Sequence, residues 1–281
     1  MIPARFDYDV AESVEQAIEL LAAGGGDAKV LAGGQSLIPA LKLRIARPAK
    51  LVDLGKLGEL AYVKDGGTHV AIGAMTPHAL VASDPLLSEQ CPIVAHTAAQ
   101  IGDPQVRHRG TIGGTLSHGD PASDMPAVVL ALGAELVVRG KGGERTIPAT
   151  EFFTGVFETA LAPDEVLVEV RVPKLGSSTG WAYVKANRRA QDWATVGVAA
   201  LVHRDDGQVA GASIGLVNMG GTPLRARAAE DALAGGSSVS DAAELVAEGT
   251  DPPSDLAAST EYRTHLAKVM TRRALEQALA D

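Results

Sequence analysis

LAGGQSL, residues Leu31 to Leu37, and TIGGTLSHGDPASD, residues Thr111 to Asp124, decide how this chain is read. Each sets paired glycines beside hydroxyl side chains, between segments patterned as ordinary helices and strands. Paired glycines serve turns, because glycine adopts positive φ without strain. They also let a backbone approach a ligand closely, and a row of exposed N–H groups ahead of a helix suits a phosphate. Neither stretch has the Gly-Lys-Ser or Gly-Lys-Thr of a Walker loop, or the GxGxxG spacing of the common dinucleotide fold. For AGGQS alone a plain turn and a phosphate cradle both stay open; two such stretches in one chain favour a ligand with two phosphates.

Upstream of the first stretch, Ser13 and Gln16 form a capping box, and Val14, Ala17, Ile18 and Leu21 keep helical spacing until Gly24, Gly25 and Gly26. Lys29 to Leu31 read as a short strand feeding AGGQS. Leu37, Ile38, Leu41 and Leu43 form a second apolar stripe before Pro48, and LVDL, Leu51 to Leu54, reads as a buried strand. The unit is β-α-β with the glycines at its centre.

Around the second stretch, HVAIGAM from His69 reads as a strand, and Thr76 with Pro77 as a helix cap followed by proline at the first helical position. Ile93 to Ile101 is a helix. The glycine stretch itself, dense in Gly, Asp, Ser and Pro, reads as irregular. MPAVVLALG is a helix, and AELVVR and VLVEVRV are strands. KLGSSTG, Lys174 to Gly180, is the linker candidate. Beyond it WAYVK, TVGVAALVH and QVAGASIGLVN suggest an antiparallel meander, with helices from about Pro223 and near Tyr262 to Leu279. The expected fold class is α+β: a two-lobed domain over 1–175, with lobes of about 1–55 and 56–175, then a small domain over 176–281 of antiparallel strands packed by helices.

The composition narrows the function. With 281 residues, 46% apolar, a net charge of −9 and a pI near 5.3, the chain has a core and no basic face for a nucleic-acid backbone. It has no secretory pattern and no transmembrane run of about 18 apolar residues, so a soluble, cytoplasmic protein is expected. Cys91 is the single cysteine. It forms no intrachain disulfide, and it cannot hold an iron–sulfur cluster, which takes four thiolates, so any such centre sits on another chain. Placed before Pro92, it reads as a buried, inert thiol.

AGGQSLIPALKLR with LVDL, IGDPQVRHRGTIGGTLSHGDPASDMPA, FFTGVFETALAPDEVLVEVRVP and IGLVNMGGTPLRA together resemble the FAD-binding medium subunits of the molybdenum hydroxylases, or xanthine dehydrogenase family, with the aerobic carbon monoxide dehydrogenase branch nearest. The resemblance implies a PCMH-type FAD-binding domain in an oxidoreductase, with noncovalent FAD here. The molybdenum cofactor and 2Fe–2S clusters would lie only on partners: a large molybdenum subunit and a small iron–sulfur subunit, assembled as a dimer of heterotrimers. It implies a pyrophosphate cradle of Ala32, Gly33, Gly34, Gln35, Ser36 and Leu37, completed by Thr111, Ile112, Gly113, Gly114 and Thr115. Asp124 matches a carboxylate near the sugar or adenine portion, Leu167 an apolar cofactor contact, and Lys185 a lysine beside the flavin, where a cation would stabilise the reduced ring.

The chain departs from the family in two places. Gln35 stands where His is frequent, keeping a hydrogen bond without its titration, and Asp192-Trp193 stands for a frequent Asp-Tyr. If Trp193 shields the flavin, it stacks without a phenol hydroxyl. Catalytic substrate chemistry is not expected on this chain. His108, His118, Asp120 and Asp124 read as turn residues rather than a metal site, Arg188 and Arg189 as solvated surface, and Trp181 as strand packing. The alternatives are a self-sufficient flavin oxidoreductase and a nucleotide-binding module without redox work.

Overall fold

In the computed structural model, which describes residues 2–206 and 208–280, the chain opens with strand β1 (Asp7–Val10) and helix α1 (Val14–Ala23). One half of the capping box forms, Ser13 Oγ accepting the Gln16 N–H at 3.1 Å, while Gln16 Oε1 reaches one residue further back and accepts the Glu12 N–H at 2.6 Å. Strand β2 (Ala28–Leu31), helix α2 (Leu37–Lys42) and strand β3 (Lys50–Asp53) complete a parallel three-stranded sheet in the order β1-β3-β2. Strand β1 is not among the expected elements, because the polar-apolar alternation of DYDV runs for only four residues; its register is held by pairing with β3, where Lys50 meets Asp9 at 2.8 Å.

The second lobe is a five-stranded antiparallel sheet wrapped by helices. It runs through β4 (Val63–Asp65), β5 (His69–Gly73), α3 (His78–Ser83), α4 (Pro85–Gln90), α5 (Pro92–Ala99), α6 (Pro104–Arg109), α7 (Ile112–His118) and α8 (Asp124–Leu132). It continues with β6 (Glu135–Gly140), β7 (Gly143–Pro148), α9 (Ala149–Phe152), a small β8 (Phe153–Gly155) and β9 (Glu158–Thr159) ribbon, and β10 (Val166–Pro173). The sheet order is β4-β5-β10-β6-β7. Leu136, Val170 and Ile72 on one face join the main core, while Val137, Val166 and Val168 on the other pack beneath Ala17, Ile18 and Leu21 of α1. Alternation along the strands thus fastens the two lobes together.

Two expectations fail here for local reasons. The second glycine stretch is not irregular throughout, since α7 runs through its first half and α6 ends just ahead of it. Asp103 caps α6, accepting the Val106 N–H at 2.9 Å with Pro104 behind it, and Thr111 caps α7. Nor is Thr76 the cap of α3. Pro77 holds that position in extended geometry, and the Thr76 hydroxyl instead bonds the Tyr62 backbone at 3.0 Å.

The remainder is a four-stranded antiparallel sheet, β11 (Thr179–Ala186), β12 (Val196–Asp205), β13 (Gln208–Val217) and β14 (Leu224–Arg225), with α10 (Arg227–Ala234), α11 (Val239–Glu244) and α12 (Thr260–Ala280). The helix expected from Pro223 begins later, at Arg227. Leu224 and Arg225 pair with β13, and Glu230 ties the helix start back to the Ile214 N–H at 2.7 Å and to Arg225 at 2.6 Å. Helix α8 is buried on every side because it lies between α5 and the faces of β12 and β13, joining this sheet to the second lobe.

Candidate functional site

The first glycine stretch leaves β2 and enters α2. Among the described residues, no N–H from Ala32 through Leu37 donates a hydrogen bond within the protein, and Ser36, at the cap position, makes no side-chain cap bond. Gly34 sits at φ +75°, and Gly33 lies so close to α6 that a Cβ there would stand 2.0 Å from the Arg109 carbonyl oxygen. Glycine is thus required at 34 by the backbone and at 33 by packing. Gln35 folds its amide onto the Gly33 carbonyl at 3.2 Å.

The second stretch is built the opposite way. The Ile112 N–H goes to Thr76 O, that of Gly113 to Ala74 O at 2.9 Å, that of Gly114 to Thr111 Oγ at 3.1 Å, and that of Thr115 to Thr111 O. A Cβ on Gly113 would meet Ala74 at 2.5 Å; one on Gly114 would point at Thr111 Oγ and stand 3.5 Å from Ala32 Cβ. The two stretches therefore meet at Ala32 and Gly114. The first brings open N–H donors, and the second brings a wall of small side chains that includes the Thr115 hydroxyl. Open donors backed by small residues fit an anionic diphosphate, which accepts hydrogen bonds and carries no donor of its own.

Beneath that wall lies His78, 1% exposed, with Nε2 2.8 Å from Thr115 Oγ. Burial, aided by the charge of Arg107, pushes its pKa down to about 4, so the ring is neutral.

Asp124, at the start of α8, and Lys185, on β11, form a buried ion pair at 2.9 Å, their side chains 6% and 3% exposed. Tyr183 donates to the other oxygen of Asp124 at 2.5 Å, and Lys185 also reaches the Gln100 carbonyl at 3.4 Å. Burial pushes the Asp124 carboxyl above its usual range against the pull of Lys185, and raises the Tyr183 phenol well above its own. A cleft of about 430 Å³ opens beside Lys185, lined by Gly102, Asp103, Arg107, Asn187 and Gln191. It is lined by Asp103 and Arg107 at the start and along α6, whose C-terminal end touches Gly33, so the cleft and the first glycine stretch flank one helix. Asp124 and Lys185, read from the resemblance as lying near opposite portions of the dinucleotide, are bonded to each other and mark one place.

Leu167 is 4% exposed on β10 opposite Val138, inside the main core. Trp193 stands 67% exposed on the segment between β11 and β12, with no aromatic partner among the described residues. That segment is held at its far end by the carbonyl of Thr195, which accepts from Arg263 of α12, a side chain 1% exposed. Trp181 packs edge-on against His96 at 5.5 Å, His118 lies against Phe157 at 5.0 Å, and Cys91 is buried with its thiol pushed up to about 12. Among the described residues there is no group of three or more His, Cys, Asp or Glu that could hold a metal ion.

Sequence reading missed Tyr183, His78 and the Gln100 carbonyl. The signal for Tyr183 was present: in AYVKA it stands two residues before Lys185, so strand alternation places both on one face, toward one carboxylate. His78 carried no such signal, because its partner Thr115 is distant in sequence.

Residues 4–175 match the family described as FAD binding domain in molybdopterin dehydrogenase, and residues 181–278 match the CO dehydrogenase flavoprotein C-terminal domain. Over 100% of its length the chain is 42% identical to the carbon monoxide dehydrogenase medium chain of Hydrogenophaga pseudoflava, covering 99% of it. It is 40% identical, over 99% of its length and 96% of the relative, to the 6-hydroxypseudooxynicotine dehydrogenase complex subunit alpha of Paenarthrobacter nicotinovorans. A solved structure of carbon monoxide dehydrogenase from Hydrogenophaga pseudoflava, lacking the Mo-pyranopterin moiety, superposes with a TM-score of 0.96 at 44% identity, over 100% of this chain and 99% of that one.

Proposed function

Since the chain belongs to the FAD-binding domains of molybdopterin dehydrogenases, we propose that it is the flavoprotein subunit of a cytoplasmic molybdenum-containing dehydrogenase, working beside a large molybdenum-cofactor subunit and a small iron–sulfur subunit in a dimer of heterotrimers. The observation that carries the reading is the run of unpartnered N–H groups from Ala32 to Leu37, facing Gly114 and Thr115. Bound FAD supplies the electron chemistry, taking electrons from one partner centre and passing them to an external acceptor. The chain's residues bind and orient it. The loop donors and the hydroxyls of Ser36 and Thr115 hold the diphosphate, and the cleft beside Lys185 receives another part of the molecule. Trp193, exposed and unstacked, covers a ring face. The pairing of Lys185 with Asp124 keeps that buried corner neutral until negative charge arrives. The single cysteine supports the placement of iron–sulfur centres on another chain. No helix among the described residues is long and apolar enough to cross a membrane.

The FAD-binding part extends over 1–175 and the C-terminal part over 176–281, in keeping with the end of β10 at Pro173 and the start of β11 at Thr179. Carbon monoxide is the lead substrate of the complex, with an aldehyde or an N-heterocycle as the alternatives. The visible spectrum of the chain, purified alone and with its co-purifying subunits, tests the reading. A flavin released intact as FAD by acid, with iron and molybdenum in the assembled form, supports it. A colourless chain that takes up no added FAD and retains no partner overturns it. Assays of the assembled form with carbon monoxide, with aldehydes and with N-heterocycles separate the three substrate classes.

A further inference from the structure

We infer that His78 is a positioning residue for the cofactor cradle: locked as the Nε2–H tautomer, it donates to Thr115 Oγ and so turns the Thr115 hydroxyl proton outward, as a donor to a phosphate oxygen. This deepens the FAD reading and rests on it. The geometry comes first. His78 is fixed at the start of α3 by its own N–H to the Gly110 carbonyl at 2.9 Å, its ring is 1% exposed, and its Nε2 stands 2.8 Å from Thr115 Oγ. Its Nδ1 has no hydrogen-bond partner.

A neutral imidazole carries one N–H, and the two tautomers differ in what they bury. The Nδ1–H form buries a donor without an acceptor, within the field of the Arg107 cation. The Nε2–H form leaves only a lone pair at Nδ1, which that positive charge favours. The Nε2–H form therefore prevails, and Thr115 Oγ must act as its acceptor. The hydroxyl proton of Thr115 is then free for another partner. Among the described residues it has none, since Thr115 Oγ donates to no carbonyl of the preceding turn. Thr115 follows Gly114, whose bare face is turned to Ala32 at the edge of the open N–H run. A ligand oxygen seated on that run is the acceptor of matching charge, and the shared chemistry is that of a phosphate ester.

The test uses the full-length chain, freed of cofactor, with FAD as the probe. Nitrogen NMR of the chain labelled at histidine reads the tautomer of His78 directly, without any ligand; an Nε2–H signal is expected, and an Nδ1–H signal overturns the assignment. FAD affinity is then measured for His78→Phe, which keeps ring shape without a donor, for His78→Gln, which keeps a donor, for Thr115→Val, and for His78→Phe with Thr115→Val. Losing one charge-assisted hydrogen bond predicts about a tenfold weaker affinity in His78→Phe and in Thr115→Val, no further loss in the double variant, and near wild-type affinity in His78→Gln. Additive losses, or a His78→Gln variant as weak as His78→Phe, would mean that His78 only packs the fold. Wild-type chain that takes up no FAD overturns the flavin reading itself, and is distinguished by that from failure of the His78 assignment alone.

Discussion

Asp124 and Lys185 lie 61 positions apart in sequence and meet at 2.9 Å in the interior, joining helix α8 of the second lobe to strand β11 of the C-terminal sheet. Breaking such a pair on one side strands a buried charge, which costs about 3–5 kcal/mol, whereas removing both partners costs much less. Asp124→Asn is therefore expected to lower the urea midpoint strongly, and Asp124→Asn with Lys185→Met to recover most of the loss. If the double variant were as unstable as the single, the pair would not be the source of the effect.

Gly33 is constrained by protein, not by ligand. A methyl group there would lie 2.0 Å from the Arg109 carbonyl oxygen, a backbone atom that cannot swing aside. Gly33→Ala is expected to push the two glycine stretches apart, costing about 2 kcal/mol or more, with weakened FAD uptake. Gly25→Ala is the control: it has φ +59° but open space around it, and is expected to cost about 1 kcal/mol with FAD uptake unchanged. Thermal melts with flavin titrations distinguish the two.

Trp193 offers the reverse separation, function without stability. It is 67% exposed, so Trp193→Ala is expected to move the unfolding midpoint by no more than about 0.5 kcal/mol. The same change is expected to raise bound-flavin fluorescence, because an indole stacked on the ring quenches it. Unchanged fluorescence would place Trp193 off the ring.

His78 gives the chain an acid limit. Its folded pKa of about 4 lies below the ordinary 6.5, so the unfolded state binds the proton more readily. The stabilisation from the neutral ring is complete above pH 6.5, declines as pH falls through that window, and is gone below 4. The shift corresponds to about 3 kcal/mol. Wild-type chain is expected to lose that much more stability than His78→Phe between pH 7 and pH 4, measured by urea denaturation at each pH.

Much of this architecture was legible because its elements carry their own signals. Ser13 with Gln16, the glycine run at 24–26 and the apolar runs of β6, β10, β12 and β13 are local instructions, and the structure follows them. What escaped was written in tertiary contacts. DYDV is too short a run to announce a strand, and it takes its place by pairing with β3. The glycines at 113 and 114 suggested a turn, yet both sit in helix α7, and position 113 is glycine because Ala74 leaves no room for a side chain. The candidate site shows the same division. The residue types of both glycine stretches pointed to a cradle, but which stretch keeps its donors open depends on where Thr76, Ala74 and Thr111 fall in space.

The hold of Arg263 on the Thr195 carbonyl bears on when the chain becomes ready for its cofactor. Synthesis runs from the N-terminus, so the glycine stretches leave the ribosome well before α12, which anchors the segment carrying Trp193. A nascent chain therefore displays both glycine stretches well before the segment carrying Trp193 is anchored. With the proposed site, flavin loading would follow the emergence of α12, and a chain lacking that helix would present a half-built receptacle.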